Sequence, residues 1–171
     1  MKQLTIGNVE AIFRDVALDI GLVISEFTIT SSAARIDVDP FAMELSSPGV
    51  LQAIVSEQSI ANFLAKKAPG GLRDVVVKAN GGKIHLNGKV QIVVNIGIDA
   101  TATLEIVNGK ELHVKLLTLD ALGGAAKNLV EGQLAQINPI INANDFPFDV
   151  QFTRVEIENG QIHLFGQVLR V

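Results

Sequence analysis

A chain of 171 residues is long enough to bury one sizeable core, and the absence of cysteine excludes disulfides, thiolate metal sites and thiol nucleophiles. A formal net charge of -4 and a pI of about 5.3 argue against a nucleic-acid grip, which needs clustered Lys and Arg to displace counterions. Apolar residues make up 48% of the chain, but aromatics only 5%, all of them Phe, so the interior is built from Ile, Val, Leu and Ala.

The N-terminal segment Met1-Lys2-Gln3-Leu4-Thr5-Ile6 lacks the apolar core, about 7 to 15 residues long, of a secretory signal. No apolar run approaches the roughly 18 residues of a membrane span. The expectation is a cytoplasmic chain, or one already trimmed, whose contact with a membrane is at most peripheral. Val9, Ile12, Phe13, Val16, Ala17 and Ile20 recur at i, i+3, i+4, i+7, i+8 and i+11, which predicts an amphipathic helix with Asn8 as N-cap and Gly21 as stop. The period then shifts toward two, and Phe27, Ile29, Ile36 and Val38 predict a hairpin around Ser31-Ser32. Pro40 and Ser46-Ser47-Pro48-Gly49 punctuate the chain.

A second helix is expected from Ser56, whose hydroxyl can accept a bond from a first-turn N–H, with Glu57 favourably placed beside it. Its stripe is Ile60, Phe63 and Leu64, and Pro69-Gly70-Gly71 ends it. From Ile84 to Ile106 every even position is apolar or Gly, and most odd positions are polar, giving one dry and one wet face. A single strand of that length would stretch about 75 Å, against a radius of gyration near 16 Å for a compact chain of this size. A reversal is therefore expected at Asn95-Ile96-Gly97, with strands near 74–80, 83–94, 97–107 and 111–119 and turns at Asn80-Gly81-Gly82 and Asn108-Gly109. Leu122, Ala125, Ala126, Leu129, Val130, Leu134, Ile137, Ile140 and Ile141 predict a long helix over 122–142, kinked or restarted at Asn138-Pro139. Phe146-Pro147-Phe148 leads into a last hairpin, 150–158 and 161–171, turning at Asn159-Gly160.

One hairpin is written twice. Gly82-Lys-Ile-His-Leu-Asn-Gly-Lys-Val90 returns 78 residues later as Gly160-Gln-Ile-His-Leu-Phe-Gly-Gln-Val168, and Asn108-Gly109-Lys-Glu-Leu112-His113-Val114 is a weaker copy. That offset is too long for a solenoid repeat of roughly 20 to 50 residues, so the reading is a meander of similar hairpins in a single domain over 1–171. An N-terminal helix and hairpin (1–49) precede the core (50–171).

Motifs for catalysis are missing. There is no Gly-x-Ser-x-Gly elbow and no His-Glu-x-x-His, and Gly82 to Lys89 has the wrong spacing for a phosphate loop. His85, His113 and His163 fall on polar strand faces and read as surface residues. Asp37 and Asp39 share a face but bring too few oxygens for a hard cation, which wants six or more. Lys66-Lys67 with Arg73 is a small basic spot that offsets a helix dipole. Neither cofactor nor metal is expected, and the chain is expected not to be an enzyme.

What remains is an excess of aliphatic surface. Either the helices close it into a filled core, or the sheet curls and leaves a gap for acyl chains, helped by Gly88, Gly97 and Gly166 on the inward face. Burial of such a chain contributes about 0.8 kcal/mol per CH₂.

The run Val55-Ser-Glu-Gln-Ser-Ile60-Ala-Asn-Phe63-Leu64, then Leu72-Arg-Asp-Val75-Val-Val77, Gly82-Lys-Ile84-His-Leu86-Asn-Gly88, Leu104-Glu-Ile106-Val-Asn-Gly109, Ile137-Asn138-Pro139 and Asp145-Phe146-Pro147-Phe148 resembles the LmeA-like bacterial family of phospholipid-binding proteins. The resemblance covers about residues 50 to 171. It implies an α+β fold in which a curved antiparallel sheet of repeated hairpins wraps around one long helix with shorter helices, similar to tubular lipid-binding domains. It also implies a groove for phospholipid or another fatty-acyl ligand, with a role in lipid transfer or in maintaining envelope lipids. On this reading the strand side of the groove comes from Ile84, Leu86, Val90, Ile92, Ile98, Leu104, Ile106, Leu112 and Val114. The helix side comes from Phe63, Leu64, Leu129, Val130, Leu134 and Ile137. Transient contact with a membrane surface belongs to the same reading. The alternative is an interaction or structural module with a filled core, pairing as a homodimer through an edge strand or sheet face.

Overall fold

The structure, a computed structural model, describes residues 3–67, 72–91, 95–121, 124–146 and 148–170. In chain order its elements are β1 (Gln3–Ala17), β2 (Val23–Val38), β3 (Phe41–Leu45), β4 (Gly49–Ser56), α1 (Glu57–Lys67), β5 (Leu72–Asn80), β6 (Lys83–Gln91), β7 (Asn95–Val107), β8 (Glu111–Ala121), α2 (Gly124–Ile137), β9 (Ile141–Asn142), a 3-10 turn (Ala143–Asp145), β10 (Asp149–Glu158) and β11 (Gln161–Arg170). Two antiparallel sheets result. The first runs β1-β2-β4-β11-β10, with β3 on the outer part of β2, and the second runs β5-β6-β7-β8-β9.

The dry and wet faces of the central region follow the sequence pattern. Ile84, Val90, Ile98, Ala100 and Leu104 are buried, while His85, Asn87, Lys89, Asp99 and Glu105 are exposed. Ser56 caps α1 as expected, its hydroxyl accepting from the Ser59 N–H at 3.1 Å. The turns at 81–82, 108–109 and 159–160 each place both residues at positive φ, between 51° and 79°, the left-handed geometry that matches strand twist in a hairpin.

Four expectations are corrected. The helix over residues 9–20 is strand β1, paired with β2 from Gln3↔Asp37 to Ala17↔Val23. Thr5, Ile6, Val9, Ile12 and Val16 are β-branched, and a full-length partner outweighs a helical stripe; Ile12 and Phe13, on that stripe, are 46% exposed. Ser31-Ser32 is not a turn, because β2 runs through it with Ser31 buried and its hydroxyl donating to the Ala33 carbonyl. Asn95-Ile96-Gly97 is strand, since Gln91 already pairs with Asn95; residues 92–94, Ile92 among them, lie outside the described residues.

The fourth correction concerns the helices. The described ones span 11 and 14 residues, so no sheet wraps a long helix, and the fold is β-rich, a curled half-barrel sheet with two short helices. The apolar period runs on past Asn138-Pro139, but proline has no N–H to donate and its ring crowds the preceding turn. Helix α2 therefore ends at Ile137, and Ile141-Asn142 pair with β8 as β9.

The duplicated hairpin explains how the two sheets are joined. Its copies are β5–β6 in one sheet and β10–β11 in the other, and they meet at equivalent places: the Gly82 N–H donates to the Ile157 carbonyl and the Gly160 N–H to the Ala79 carbonyl, both at 2.9 Å. Glu57, the first residue of α1, locks this junction. Its Oε1 accepts from the Ala79 N–H at 2.7 Å, its Oε2 lies 3.3 Å from Lys78 Nζ, and its own N–H donates to the Gly160 carbonyl at 3.3 Å. A second seam forms where the Phe152 N–H donates to the Gly109 carbonyl at 2.7 Å and Lys110 Nζ reaches Asp149 Oδ1 at 2.6 Å.

Each copy also bends at one place. Gly88 stands opposite the register shift between Arg73 and Val76, and Gly166 opposite the shift between Phe152 and Arg154. A Cβ on Gly166 would come within 2.6 Å of the Gln151 carbonyl oxygen, so the bend needs glycine there. Between the sheets lies a continuous core that includes Ile24, Leu51, Leu164, Val168, Leu112 and Ile141. Phe146 and Phe148 join it in an aromatic cluster, Phe146 stacking on Phe27 at 5.2 Å between ring centroids and meeting Phe152 edge-on at 6.2 Å. Pro147 lies outside the described residues.

The Ala79 N–H first, and Lys78 second, hold the Glu57 carboxyl below its ordinary range. A depressed native value adds stability above the unfolded pKa, near 4.5, that is lost as pH falls through the native value. Replacing Glu57 by Gln should flatten that acid limb, and Glu57→Ala should lower unfolding free energy by about 1 to 2 kcal/mol at neutral pH. Urea melts between pH 3 and 7 would show it; parallel wild-type and Gln curves would contradict it.

Candidate functional site

Sheet β5–β9 turns its dry face toward α1 and α2, and the three do not close completely. A cavity of about 130 Å³ remains. One wall is β6, β7 and β8, through Ile84, Leu86, Val90, Ile98, Ala100, Ala102, Leu112, Val114 and Leu116. The facing wall is Ile60, Phe63 and Leu64 of α1 and Val130, Gln133, Leu134 and Ile137 of α2. Leu22, Val55, Leu72, Ile140, Ile141 and Ile162 complete it.

Local sequence explains each wall. The strand wall is the even-numbered set of β6 and β7. On β8 the register shifts between Thr101 and Ala102, so that Thr118 and Leu116 find partners while Leu117 between them is 46% exposed. On α2, Val130, Gln133, Leu134 and Ile137 stand at i, i+3, i+4 and i+7, one face of a helix.

Of the residues expected to line a groove, Phe63, Leu64, Ile84, Leu86, Val90, Ile98, Leu112, Val114, Val130, Leu134 and Ile137 surround this cavity. Leu104 and Ile106 do not; they belong to the core between the sheets. Ile92 and the side chain of Leu129 lie outside the described residues. Ile140 and Ile141 stand on the helical stripe in sequence and arrive instead through the segment after α2 and strand β9. Leu22, Val55 and Ile162 escaped sequence reasoning because a loop and the other sheet bring them in, and no local period marks a non-local wall. Gln133 escaped it because an apolar stripe is read by skipping polar residues, yet its place at i+3 of Val130 was visible.

None of the described residues that line the cavity is charged. Among the described residues that line it, Gln133 alone is polar, and its Oε1 is buried with no hydrogen-bond donor. The three histidines are elsewhere: His85 Nδ1 lies 3.2 Å from Thr101 Oγ1, His113 Nε2 2.8 Å from Glu111 Oε2, and His163 Nδ1 3.3 Å from Gln52 Nε2. Among the described residues no group of three or more His, Cys, Asp or Glu could hold a metal ion. Asp37 faces Arg35 at 3.7 Å.

An apolar, uncharged chamber against a curled hairpin sheet suits an aliphatic ligand, and the family comparison agrees with that chemistry. The model of the LmeA-like phospholipid-binding family matches residues 1–167. The chain belongs to the LmeA-like phospholipid-binding family. The match takes in residues 1–49 as well as the core where the resemblance was read, so the β1–β2 arm is part of the LmeA-like pattern. No curated protein and no solved structure matches the chain significantly. Among the described residues no helix of this LmeA-like chain is long and apolar enough to cross a membrane.

The cavity wall formed by α2 is fastened at its C-terminal end. Asn138 Oδ1 accepts from the Val114 N–H and Asn138 Nδ2 donates to the Val114 carbonyl, both at 2.9 Å, continuing along β8 the ladder that β9 makes at Glu111 and Leu112. Asn138→Ala leaves both backbone groups of Val114 without these partners and should cost about 1 to 3 kcal/mol. Hydrogen exchange should rise in α2 more than in β10 and β11; uniform or unchanged exchange would contradict this anchoring role.

Proposed function

We propose that the protein binds phospholipid by taking an acyl chain into the cavity between sheet β5–β9, α1 and α2, and that it does so without a catalytic step. The observation that carries this reading is the chamber itself: about 130 Å³ of space whose described lining is apolar apart from one amide. At roughly 24 cal/mol per Å³, leaving such a space empty costs about 3 kcal/mol, a large fraction of the roughly 5 to 15 kcal/mol that stabilises a domain. A structural module with a filled core has no reason to bear that cost. A lipid binder recovers it with every methylene it buries.

The chamber is close in size to a cavity of about 150 Å³ that holds a benzene molecule, so a full acyl chain needs more room. Helix α2 is the wall suited to give way. It is fastened through Asn138 at one end, and Val130, Leu134 and Ile137 contribute non-directional apolar contact along its inner face. In this reading α2 swings outward about that end to admit lipid, and the polar head stays outside, where the phospholipid leaves or rejoins a bilayer during transient contact. Lipid transfer or maintenance of membrane lipids is the role that such a carrier would serve.

Ala102 lines the strand wall and pairs with Ile84 and Leu116 across the sheet. Replacing it with Phe should fill the chamber, reducing uptake of a fluorescent acyl-chain probe at least tenfold while the melting temperature stays within a few degrees. A packed wall would instead lose about 1 to 3 kcal/mol to overpacking. Undiminished uptake by a folded Ala102→Phe variant would refute the proposed chamber.

A further inference from the structure

Gln133 is the anomaly in the chamber. Its neighbours on the inner face of α2 are Val130, Leu134 and Ile137, and a fourth aliphatic residue would complete the stripe. Instead an amide sits among 21 described apolar lining residues, and its Oε1 is buried without a donor. Burying such a group unpaired is unfavourable, because it gives up its hydrogen bonds to water and regains none. Buried polar atoms left orphaned in a folded protein call for a partner that the chain itself does not supply. A water would need two to four polar partners, and this lining offers one.

We propose that Gln133 is the specificity-determining residue of the chamber, selecting acyl ligands that carry a neutral hydrogen-bonding group, such as an ester carbonyl or a hydroxyl, over bare hydrocarbon. This deepens the lipid-binding reading and rests on it. A carboxamide carries both an acceptor oxygen and an NH₂ donor, and a half-turn about its last torsion exchanges them, so it meets a hydroxyl through the first and an ester carbonyl through the second. Among the described residues no lining side chain is charged, so an ionised phosphate or carboxylate finds no counter-charge among them and stays at the mouth. The part of a phospholipid that matches is its uncharged acyl-ester linkage, with the hydrocarbon running along the strand wall and the charged head outside.

The test compares three probes of equal chain length, dodecanol, methyl dodecanoate and chlorododecane, as displacers of fluorescent phenylnaphthylamine from the wild type and from Gln133→Leu. Because each probe's intrinsic hydrophobicity is the same for both proteins, the informative quantity is the change in ratio between them. The two oxygenated probes should lose about 3- to 10-fold against chlorododecane on going to Leu, the size of one net hydrogen bond. Gln133→Met, which keeps side-chain length and lacks the amide, should behave alike. Both variants should melt no lower than the wild type in the absence of lipid, because the substitution removes an unpaired buried group. An unchanged ratio in both variants would overturn the role of Gln133 while leaving lipid binding in place. Failure of all three probes to displace the dye from the wild type would overturn the lipid-binding reading together with it.

Discussion

Everything in this fold hangs on the tip-to-tip junction of two related hairpins. The β5–β6 and β10–β11 copies lie in different sheets and exchange backbone hydrogen bonds at equivalent positions, Gly82 to Ile157 and Gly160 to Ala79. Glu57 completes the junction from the start of α1, accepting from the Ala79 N–H and receiving Lys78. One helix end is thus tied to both sheets at the point where they meet. That tie, together with the buried Ala61 and Phe63, sets α1 over the dry face of β5–β9 as a wall of the chamber.

Curvature is the second requirement, and it comes from the same duplication. In each copy a glycine, Gly88 or Gly166, faces a register shift in the neighbouring strand, bending both sheets by a shared device. The bent sheet β5–β9 cannot be covered flush by helices of 11 and 14 residues, which is why aliphatic side chains on both walls leave space between them. The first sheet contributes Val55 and Ile162 to that space but is otherwise densely packed among the described residues. Its inner residues Ile24, Leu51, Leu164 and Val168 are essentially inaccessible, and the Phe27, Phe146, Phe148 and Phe152 cluster packs beside them. A dense half and a hollow half therefore coexist in one chain of aliphatic residues.

Much of this was legible in the sequence where local chemistry decides the outcome. The Asn-Gly and Gly-Gly turns, the even-numbered dry face of the described parts of β6 and β7 and the Ser56 cap all appear where their residues place them. Legibility failed where a distant partner decides. Val9, Ile12, Phe13 and Val16 fit a helical period, yet β2 supplies thirteen paired positions that turn the segment into a strand. Pro139 lies within a helical stripe and stops α2 where the hydrophobic period alone would extend it. In the candidate site, eleven of the chamber's lining residues follow from periodicity, whereas Leu22, Val55 and Ile162 arrive from elements whose approach depends on how the two sheets are joined.

Native mass spectrometry of protein purified without detergent, followed by organic extraction, reads out whether lipid occupies the chamber. A near-stoichiometric adduct whose extract contains an acyl-ester lipid is expected. A clean apo mass that stays unchanged after incubation with phospholipid vesicles would contradict that occupancy.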